Sequence, residues 1–266
     1  MMGGHHAMTG AAAWIAVTAT GHGFGWYDVD PLGTITGALL CAGAAMLPDA
    51  DHSSATIAHS VPFVGRAVTE GISKASGGHR HGLHALLAVI CAWFLAVGLG
   101  WITWQPSWWH QPVAVGPAIM TAASVTFAMK ALKVAKTWPQ AWLGGFAIAA
   151  FVALFAPEQQ SWFALCFTIG YGVHLAGDFL TTGGLPLFWP WVPKPPKSWR
   201  EIPVLKNMWT SGGYWALPVL GNAGSIREWL LLIPISAYVG YGILYAIVAM
   251  FGIDLTAVMT EVWQAR

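Results

Sequence analysis

The sequence predicts an all-α fold: a polytopic transmembrane bundle of five to seven helices with one amphipathic helix at the membrane interface. Of the 266 residues, 56% are hydrophobic and 9% are charged, whereas soluble domains carry about 25% charged residues. So few charges cannot cover a water-exposed surface. The length suits one membrane domain, residues 1–266. The net charge of +1 provides no basic face for a nucleic acid.

Candidate membrane spans are apolar segments approaching the roughly 20 residues that a crossing helix needs. The clearest is Leu83–Trp104, and the others are Pro112–Ala131, Ala141–Ala156, Ser161–Leu180 and Trp229–Gly252. Two shorter segments rich in Gly and Ala, Ala7–Thr20 and Pro31–Leu47, are either tilted spans or half-inserted helices packed through small residues. Counting both gives seven crossings. No basic stretch precedes Ala7–Thr20, so we expect it to be retained rather than cleaved as a signal peptide.

The positions of lysine and arginine predict the orientation, because cytoplasmic loops of membrane proteins are enriched in both. With the N-terminus inside and seven spans, only Arg266 falls outside. Eleven of the 12 basic residues then face the cytoplasm: Arg66, Lys74, Arg80, Lys130, Lys133, Lys136, Lys194, Lys197, Arg200, Lys206 and Arg227. The outer loops carry the acidic residues Asp28, Asp30, Glu158 and Asp254.

Two long loops lie on the predicted cytoplasmic side. Segment 53–78 has an apolar stripe of residues three or four apart, which predicts an amphipathic helix: Ile57, Val61, Val64, Val68 and Ile72. Such a helix either lies in the interface or packs as an ordinary helix. Segment 182–226 contains seven prolines and cannot be one helix. It predicts a loop of short turns that closes over a site.

Most histidines, together with three aspartates, fall in four short clusters within apolar surroundings. These are Gly4-His5-His6, Pro48-Asp49-Ala50-Asp51-His52, His79-Arg80-His81-Gly82-Leu83-His84 and His174-Leu175-Ala176-Gly177-Asp178. The predicted topology brings all four to the inner end of the bundle. Ionisable groups are costly beside hydrocarbon and therefore indicate a functional site. Histidine with carboxylate is a ligand set for Zn or Mn, so we expect one or two divalent ions per chain.

The second and fourth clusters each allow a structural alternative. His174 and Asp178 share a helix face at a spacing of four, so they either bind one metal or hydrogen-bond to each other. Asp49 and Asp51 follow a helix C-terminus, where the helix dipole disfavours carboxylates and a cation would compensate. Asp51 could instead cap the next helix.

The third cluster contains two candidate ligands and one arginine. Glycines at 77, 78 and 82 predict that His79 precedes the helix that His84 begins. Arg80 suits an oxyanion, or else anchors the chain on the inner side. His5 competes with His6 as the N-terminal ligand. We expect solvent exposure or a structural role for the remaining histidines, which are His22, His59, His81 and His110.

Taken in order, these motifs resemble the bacterial inner-membrane metal-dependent hydrolases of the YdjM type, also described as LexA-binding, membrane-associated hydrolases. The family has a histidine followed after three residues by glycine, here His6 and Gly10, and a Pro-Asp-x-Asp-His segment, here 48–52. Its His-Arg-Gly-x-Thr-His-Ser motif corresponds to 79–85, where Leu83 and Ala85 replace the two hydroxyl residues. Its fourth motif runs from His174 through Asp178, Thr181 and Gly184 to Pro190. The resemblance covers residues 1–192.

Together, the clusters and the resemblance predict a metal centre at the cytoplasmic end of the bundle in the bacterial inner membrane. The expected ligands are His6, Asp49, Asp51, His52, His79, His84, His174 and Asp178. They exceed the needs of one tetrahedral ion, so either two ions bind or some groups orient others. Asp49 or Asp51 would act as general base, and Arg80 would hold an anionic transition state.

The position of the centre at the inner interface suggests that membrane lipids surround it and that an amphiphile such as a phospholipid or another phosphoester is the substrate. The alternative is a non-enzymatic metal protein, either a scaffold or an ion transporter. A transporter should bind its ion near the bilayer midplane, whereas these ligands cluster at one end. No residue argues for a soluble partner such as LexA.

Overall fold

The computed structural model describes residues 1–24, 29–52, 55–61, 63–155 and 161–253, and within these ranges the chain is helical and without strands. Its helices are α1 (Gly3–Phe24), α2 (Pro31–Ala44), α3 (Val64–Ser76), α4 (Leu86–Gly100), α5 (Val115–Ala131), α6 (Trp138–Phe155), α7 (Ser161–Phe179), α8 (Lys197–Glu201), α9 (Leu205–Met208) and α10 (Ile226–Met250). Short 3₁₀ turns cover Leu47–Asp51, Thr56–His59 and Gly82–His84. The acidic residues Asp28, Glu158 and Asp254 and the basic Arg266 lie outside the described residues.

The helices differ in length from the predicted spans. Within the described ranges, two segments are long and apolar enough to cross a bilayer, Pro31–Asp51 and Ile226–Met250. Three further apolar helices are shorter, Leu86–Gly100, Val115–Ala131 and Trp138–Leu154. Helix length and composition therefore do not confirm the number of five to seven crossings. The predicted Leu83–Trp104 span shortens most, because His84 is held in a 3₁₀ turn before α4 begins.

Helix α2 lies at the centre of the bundle and contacts α1, α5, α7 and α10. Glycines allow this close packing. A Cβ atom at Gly10 of α1 would lie 2.7 Å from the Cys41 carbonyl oxygen, and one at Gly43 would overlap the Ser124 backbone of α5. Gly170 of α7 meets the same Cys41 carbonyl. Small residues thus bring the backbones of α1, α2, α5 and α7 together, as in membrane bundles.

Helix α3 is shorter than the predicted stripe. Ile57 belongs to the separate turn Thr56–His59, whereas α3 begins at Val64, after Phe63 with a φ of 63°. The helix turns its small residues inward, where Gly65 and Thr69 are buried, while Val64 and Val68 are exposed. Val64 and Val68 of the stripe therefore face outward, whereas Ile57 is buried and Ile72 is half-buried against the core.

Segment 182–226 folds over one end of the bundle. It forms α8, α9 and isolated bridges such as Leu185 to Trp215. The Leu86 amide donates to the Leu187 carbonyl at 3.0 Å, and the Leu217 amide donates to the Phe179 carbonyl at 2.7 Å. These bonds join the segment to the start of α4 and the end of α7.

Candidate metal centre

Residues of all four sequence clusters meet at the end of the bundle that segment 182–226 covers. His6 lies in the first turns of α1, and Asp49 and Asp51 lie in the turn after α2. His84 lies in the turn before α4. His174 and Asp178 lie in the last turns of α7, one helical turn apart. The ends of four different helices thus bring these side chains into one polar cluster.

Four side-chain atoms converge at its centre, and we call them the quartet: Nε2 of His84, Nε2 of His174, Oδ1 of Asp49 and Oδ2 of Asp178. The two imidazole nitrogens are 3.3 Å apart. Each lies 3.7 Å from the Asp49 oxygen and 3.8 Å from the Asp178 oxygen. His84, His174 and Asp178 are buried, and Asp49 is 25% exposed.

These separations fit a single divalent ion. Bonds of 2.0–2.2 Å to nitrogen and oxygen in a tetrahedral site put neighbouring ligand atoms roughly 3.3–3.6 Å apart. The observed distances of 3.3 to 3.8 Å are in or just above that range. The donor set of two imidazoles and two carboxylates is also one that Zn and Mn accept.

The outer nitrogen of each quartet imidazole faces an acceptor. His174 Nδ1 donates to the Ala45 carbonyl at 2.7 Å. His84 Nδ1 lies 3.5 Å from Asp51 Oδ2. A histidine that binds a metal usually donates its other N–H in this way, which fixes the tautomer and leaves the Nε2 lone pair for the ion. His174 is therefore oriented as a metal ligand, whereas His84 Nδ1 is buried near Asp51 without a hydrogen bond that would fix its tautomer.

The centre needs positive charge. With both outer nitrogens protonated, the two Nε2 lone pairs would face each other between two carboxylates. Burial lowers the pKa of His84, which lies in a turn outside the helices, but Asp49 and Asp51 raise it more, to about 9. The Met1 amino group and the Arg80 guanidinium already face Asp178, and a proton on His84 or a cation in the quartet would supply further positive charge.

His6 provides a further ligand beside the quartet. Its Nε2 lies 3.2 Å from Asp178 Oδ1, and its ring stacks on His174 with centroids 3.8 Å apart. Both ring nitrogens are buried without a hydrogen-bond partner. His6, His174 and Asp178 thus form a second possible metal triad that shares two members with the quartet. Asp178 also contacts the amino group of Met1.

Asp51 and His79 lie one layer outside the quartet. Asp51 pairs with His79 Nδ1 at 2.8 Å and accepts the Arg80 backbone N–H at 3.1 Å, in addition to facing His84. The ring of His52 contacts the ring of His79 at 4.3 Å. The structure thus places Asp51 to hold other residues in position, while His79 and His52 extend the polar network outward.

Arg80 reaches into the centre from the connection before α4. Its backbone has a φ of 58°, and its guanidinium lies 3.2 Å from Asp178 Oδ2. It is about a quarter exposed, at 26%. Gly183 makes room for it, because a Cβ atom at that position would overlap Nη1 of Arg80. The guanidinium is therefore both beside the centre and accessible.

The other histidines stay apart from the quartet. His59 and His110 are exposed, and the side chain of His22 lies outside the described residues. His81 faces solvent less than expected, because its Nδ1 is 3.0 Å from the His79 carbonyl and its ring lies 6.3 Å from Tyr214.

Sequence reasoning missed Glu228, which is fully buried in the first turn of α10. Its carboxylate pairs with His5 and accepts the backbone N–H groups of Met2 at 2.8 Å and Gly224 at 2.7 Å. This explains why His6 and not His5 joins the centre. One sequence pattern could have drawn attention to Glu228: Ser225 precedes it by three residues, as in the capping box at the start of a helix. Ser225 does cap the Glu228 amide, but the carboxylate is used elsewhere.

Comparison with protein families gives a match over almost the whole chain. The model of the YdjM inner membrane protein family aligns with residues 1–130 and 137–249. The match extends past residue 192, where the motif resemblance ended, and takes in segment 182–226 and α10. No curated protein and no solved structure matches the chain. The match places the chain in the inner membrane, and the chain belongs to the YdjM inner membrane protein family.

Proposed function

We propose that this protein is a metal-dependent hydrolase embedded in the inner membrane, with its metal centre at the cytoplasmic end of the bundle. The observation that supports this most is the quartet, in which the Nε2 atoms of two buried imidazoles lie 3.3 Å apart and within 3.8 Å of one oxygen from each of two carboxylates. Several ionisable groups are buried together there, although Asp178 already faces the Met1 amino group and Arg80. Their desolvation is costly unless a cation offsets it.

The proposed arrangement in the membrane is multi-pass, with a cytoplasmic N-terminus. Eleven of the 12 basic residues then face the cytoplasm. The quartet would lie at the same end, because Asp49, His84, His174 and Asp178 all lie near helix ends on that side. Helices α1 and α2 would be included among seven crossings, packed through their glycines.

The proposed cation is Zn or Mn, with one or two ions per chain. The quartet would hold one ion, and the His6 triad would either add a fifth ligand or help to hold a second. When bound, the ion supplies Lewis acidity and lowers the pKa of an associated water.

Residues of this chain would supply the general base, the positive charge beside the reacting phosphate and the group that positions them. Asp49 is the quartet member with 25% exposure, so its second oxygen, Oδ2, which is not one of the quartet atoms, would accept the proton of a water molecule as general base. Arg80 offers a positive charge to the anionic oxygens that develop during hydrolysis. Asp51 holds His79, His84 and the Arg80 backbone in place, which makes it a positioning residue rather than the base.

The proposed substrate class is a phospholipid or another amphiphilic phosphoester. The exposed valines of α3, Val64 and Val68, form an apolar surface on the helix that precedes the connection carrying His79 and Arg80. An amphiphile could place its apolar part along that surface and its phosphate beside Arg80. Arginine is well suited to phosphate because its planar fork binds two oxygens.

A second candidate function is a metal-stabilised scaffold without catalysis. The quartet already offers four protein ligands, and structural Zn sites are typically closed by four. A transporter is less favoured, because the ligands lie at one end of the helices rather than near the midplane.

A turnover screen separates the two candidates. Full-length protein in lipid nanodiscs, loaded with Zn or Mn, would be tested against phospholipids and other phosphoester amphiphiles. We expect hydrolysis that a chelator abolishes, that Asp49→Asn strongly reduces and that Glu70→Gln, on exposed α3, leaves unchanged. Stoichiometric metal without turnover of any substrate would contradict the hydrolase and favour the scaffold.

A further inference from the structure

Segment 194–207 is a compact basic surface at the end of the bundle that carries the quartet. It contains four of the chain's 12 basic residues and one acidic residue, Glu201. All four basic side chains are exposed: Lys194, Lys197, Arg200 and Lys206. The local charge is therefore +3, in a chain whose total net charge is +1.

Exposed apolar side chains interrupt these charges. Ile202 is 47% exposed and Val204 is 68% exposed, and both lie between Arg200 and Lys206. A surface made only to attract a soluble anion would have no need of them. Basic residues alternating with exposed apolar ones are typical of a segment that lies on an anionic lipid surface.

The segment has a defined shape. The Trp199 indole donates to the Leu205 carbonyl at 2.7 Å, and the Trp209 indole donates to the Pro193 carbonyl at 3.0 Å. The two indoles pack edge to face, and Trp209 stacks on Trp215 with centroids 4.4 Å apart. On α8, Trp199 is half-buried, while Lys197 and Arg200 are exposed three residues apart, and Arg200 Nε donates to the Pro195 carbonyl at 3.1 Å.

We propose that segment 194–207 docks on the anionic headgroups of the membrane in which the protein is embedded. Lys194, Lys197, Arg200 and Lys206 pair with lipid phosphates, while Ile202 and Val204 enter the interface between them. The segment is bonded to both the start of α4 and the end of α7 through 182–226, so docking would hold the covered end of the bundle against the headgroups. This docking does not depend on the metal or on catalysis.

The test measures how close Val204 comes to lipid headgroups in the full-length protein. Val204→Cys, with Cys91 replaced by alanine, is labelled with a fluorophore, since Cys41 and Cys166 are buried. The protein is placed in nanodiscs of neutral phosphatidylcholine or of phosphatidylcholine with anionic phosphatidylglycerol, each containing a headgroup nitroxide quencher. We expect quenching in anionic discs that high salt reverses, and much weaker quenching in neutral discs.

Two charge-reversal variants make the result specific. Lys197→Glu with Lys206→Glu should abolish the quenching. Lys133→Glu with Lys136→Glu changes the total charge equally on exposed residues elsewhere and should not abolish it. Equal quenching in both lipids, or quenching that survives the first pair, would overturn the proposal. Absence of quenching in either disc would also overturn it, and would direct the surface toward a soluble acidic partner.

Discussion

At the scale of single residues, a substitution of Arg80 most clearly distinguishes metal binding from hydrolysis. Its guanidinium lies 3.2 Å from Asp178, yet guanidinium is a poor metal ligand. We expect Arg80→Ala to retain its metal and to lose hydrolysis by about 10²–10³-fold, as for loss of one oxyanion contact. Metal analysis and turnover rates on the same preparations would check this. Arg66→Ala, on exposed α3, is the matched control, and a fully active Arg80→Ala would remove the residue from the mechanism.

Gly183 gives an independent test of the same guanidinium. A methyl group there would overlap Nη1 of Arg80 without touching the quartet. We therefore expect Gly183→Ala to displace the guanidinium and lower turnover, with metal content unchanged. Gly172→Ala in α7, where a Cβ atom would meet nothing within 4 Å, should behave as wild type. Equal activity of the two variants would show that turnover does not depend on the space that Gly183 leaves for the Arg80 guanidinium.

The residue types of the centre could be predicted from sequence, but their layers could not. Two histidines and two aspartates of the quartet stood out because they were ionisable groups in apolar surroundings. Asp51 and His79 carried the same signal, yet they lie one layer out. That difference depends on which imidazole nitrogen faces inward, which no spacing along the chain encodes. Glu228 was missed because its partners, His5 and the Met2 amide, are more than 220 residues away.

At the scale of helices, contacts at glycines determine how closely the helix ends that carry the quartet converge. A Cβ atom at Gly43 of α2 would overlap the Ser124 backbone of α5, and backbone cannot move aside as a side chain can. We expect Gly43→Ala to destabilise the protein by about 1–3 kcal/mol, as overpacking does, and to reduce metal content by shifting the turn that holds Asp49. Thermal unfolding in detergent, with metal analysis, measures both.

Gly98→Ala is the control for this substitution. Nothing lies within 4 Å of a Cβ atom there, so the change should stabilise α4 by about 0.5–1 kcal/mol because alanine loses less entropy in a helix. If the two variants unfold at the same temperature, close packing of α2 against α5 is not what holds the bundle together.

Helix boundaries were predictable where apolar composition dominates and less so where a turn intervenes. The prediction for Ser161–Leu180 nearly coincides with α7. The predicted span Leu83–Trp104 was longer than α4 at both ends. At its start the helix is shorter because His84 lies in a turn that faces the two aspartates. The stripe from Ile57 to Ile72 was wrong as one helix, since Pro62 follows Val61 and disfavours helical backbone there.

At the scale of the whole molecule, charge asymmetry predicts which end faces the cytoplasm. Ala75, exposed near the end of α3, belongs to the proposed inner side, and Ser107, exposed between α4 and α5, belongs to the outer side. With Cys91 replaced, an impermeant maleimide should label Ser107→Cys in spheroplasts, and Ala75→Cys only after the membrane is permeabilised. The opposite pattern would invert the topology and place the metal centre in the periplasm.

The gathering of four distant clusters at one end of the molecule was predictable from alternating spans, since each cluster adjoins a helix end on the same side. The prolines of 182–226 predicted a loop of short turns closing over a site, but its short helices and isolated bridges could not be predicted, because they depend on tertiary contacts with α4 and α7. We propose that this end of the bundle binds a divalent cation through the quartet.

Metal analysis of the purified full-length protein tests that claim most directly. Wild type should carry roughly one or two Zn or Mn ions per chain. His84→Ala and His174→Ala, which remove quartet ligands from different elements, should each carry less, while His59→Ala, an exposed histidine, should match wild type. Wild type without bound metal after Zn or Mn supplementation, or unchanged occupancy in both quartet variants, would contradict the account.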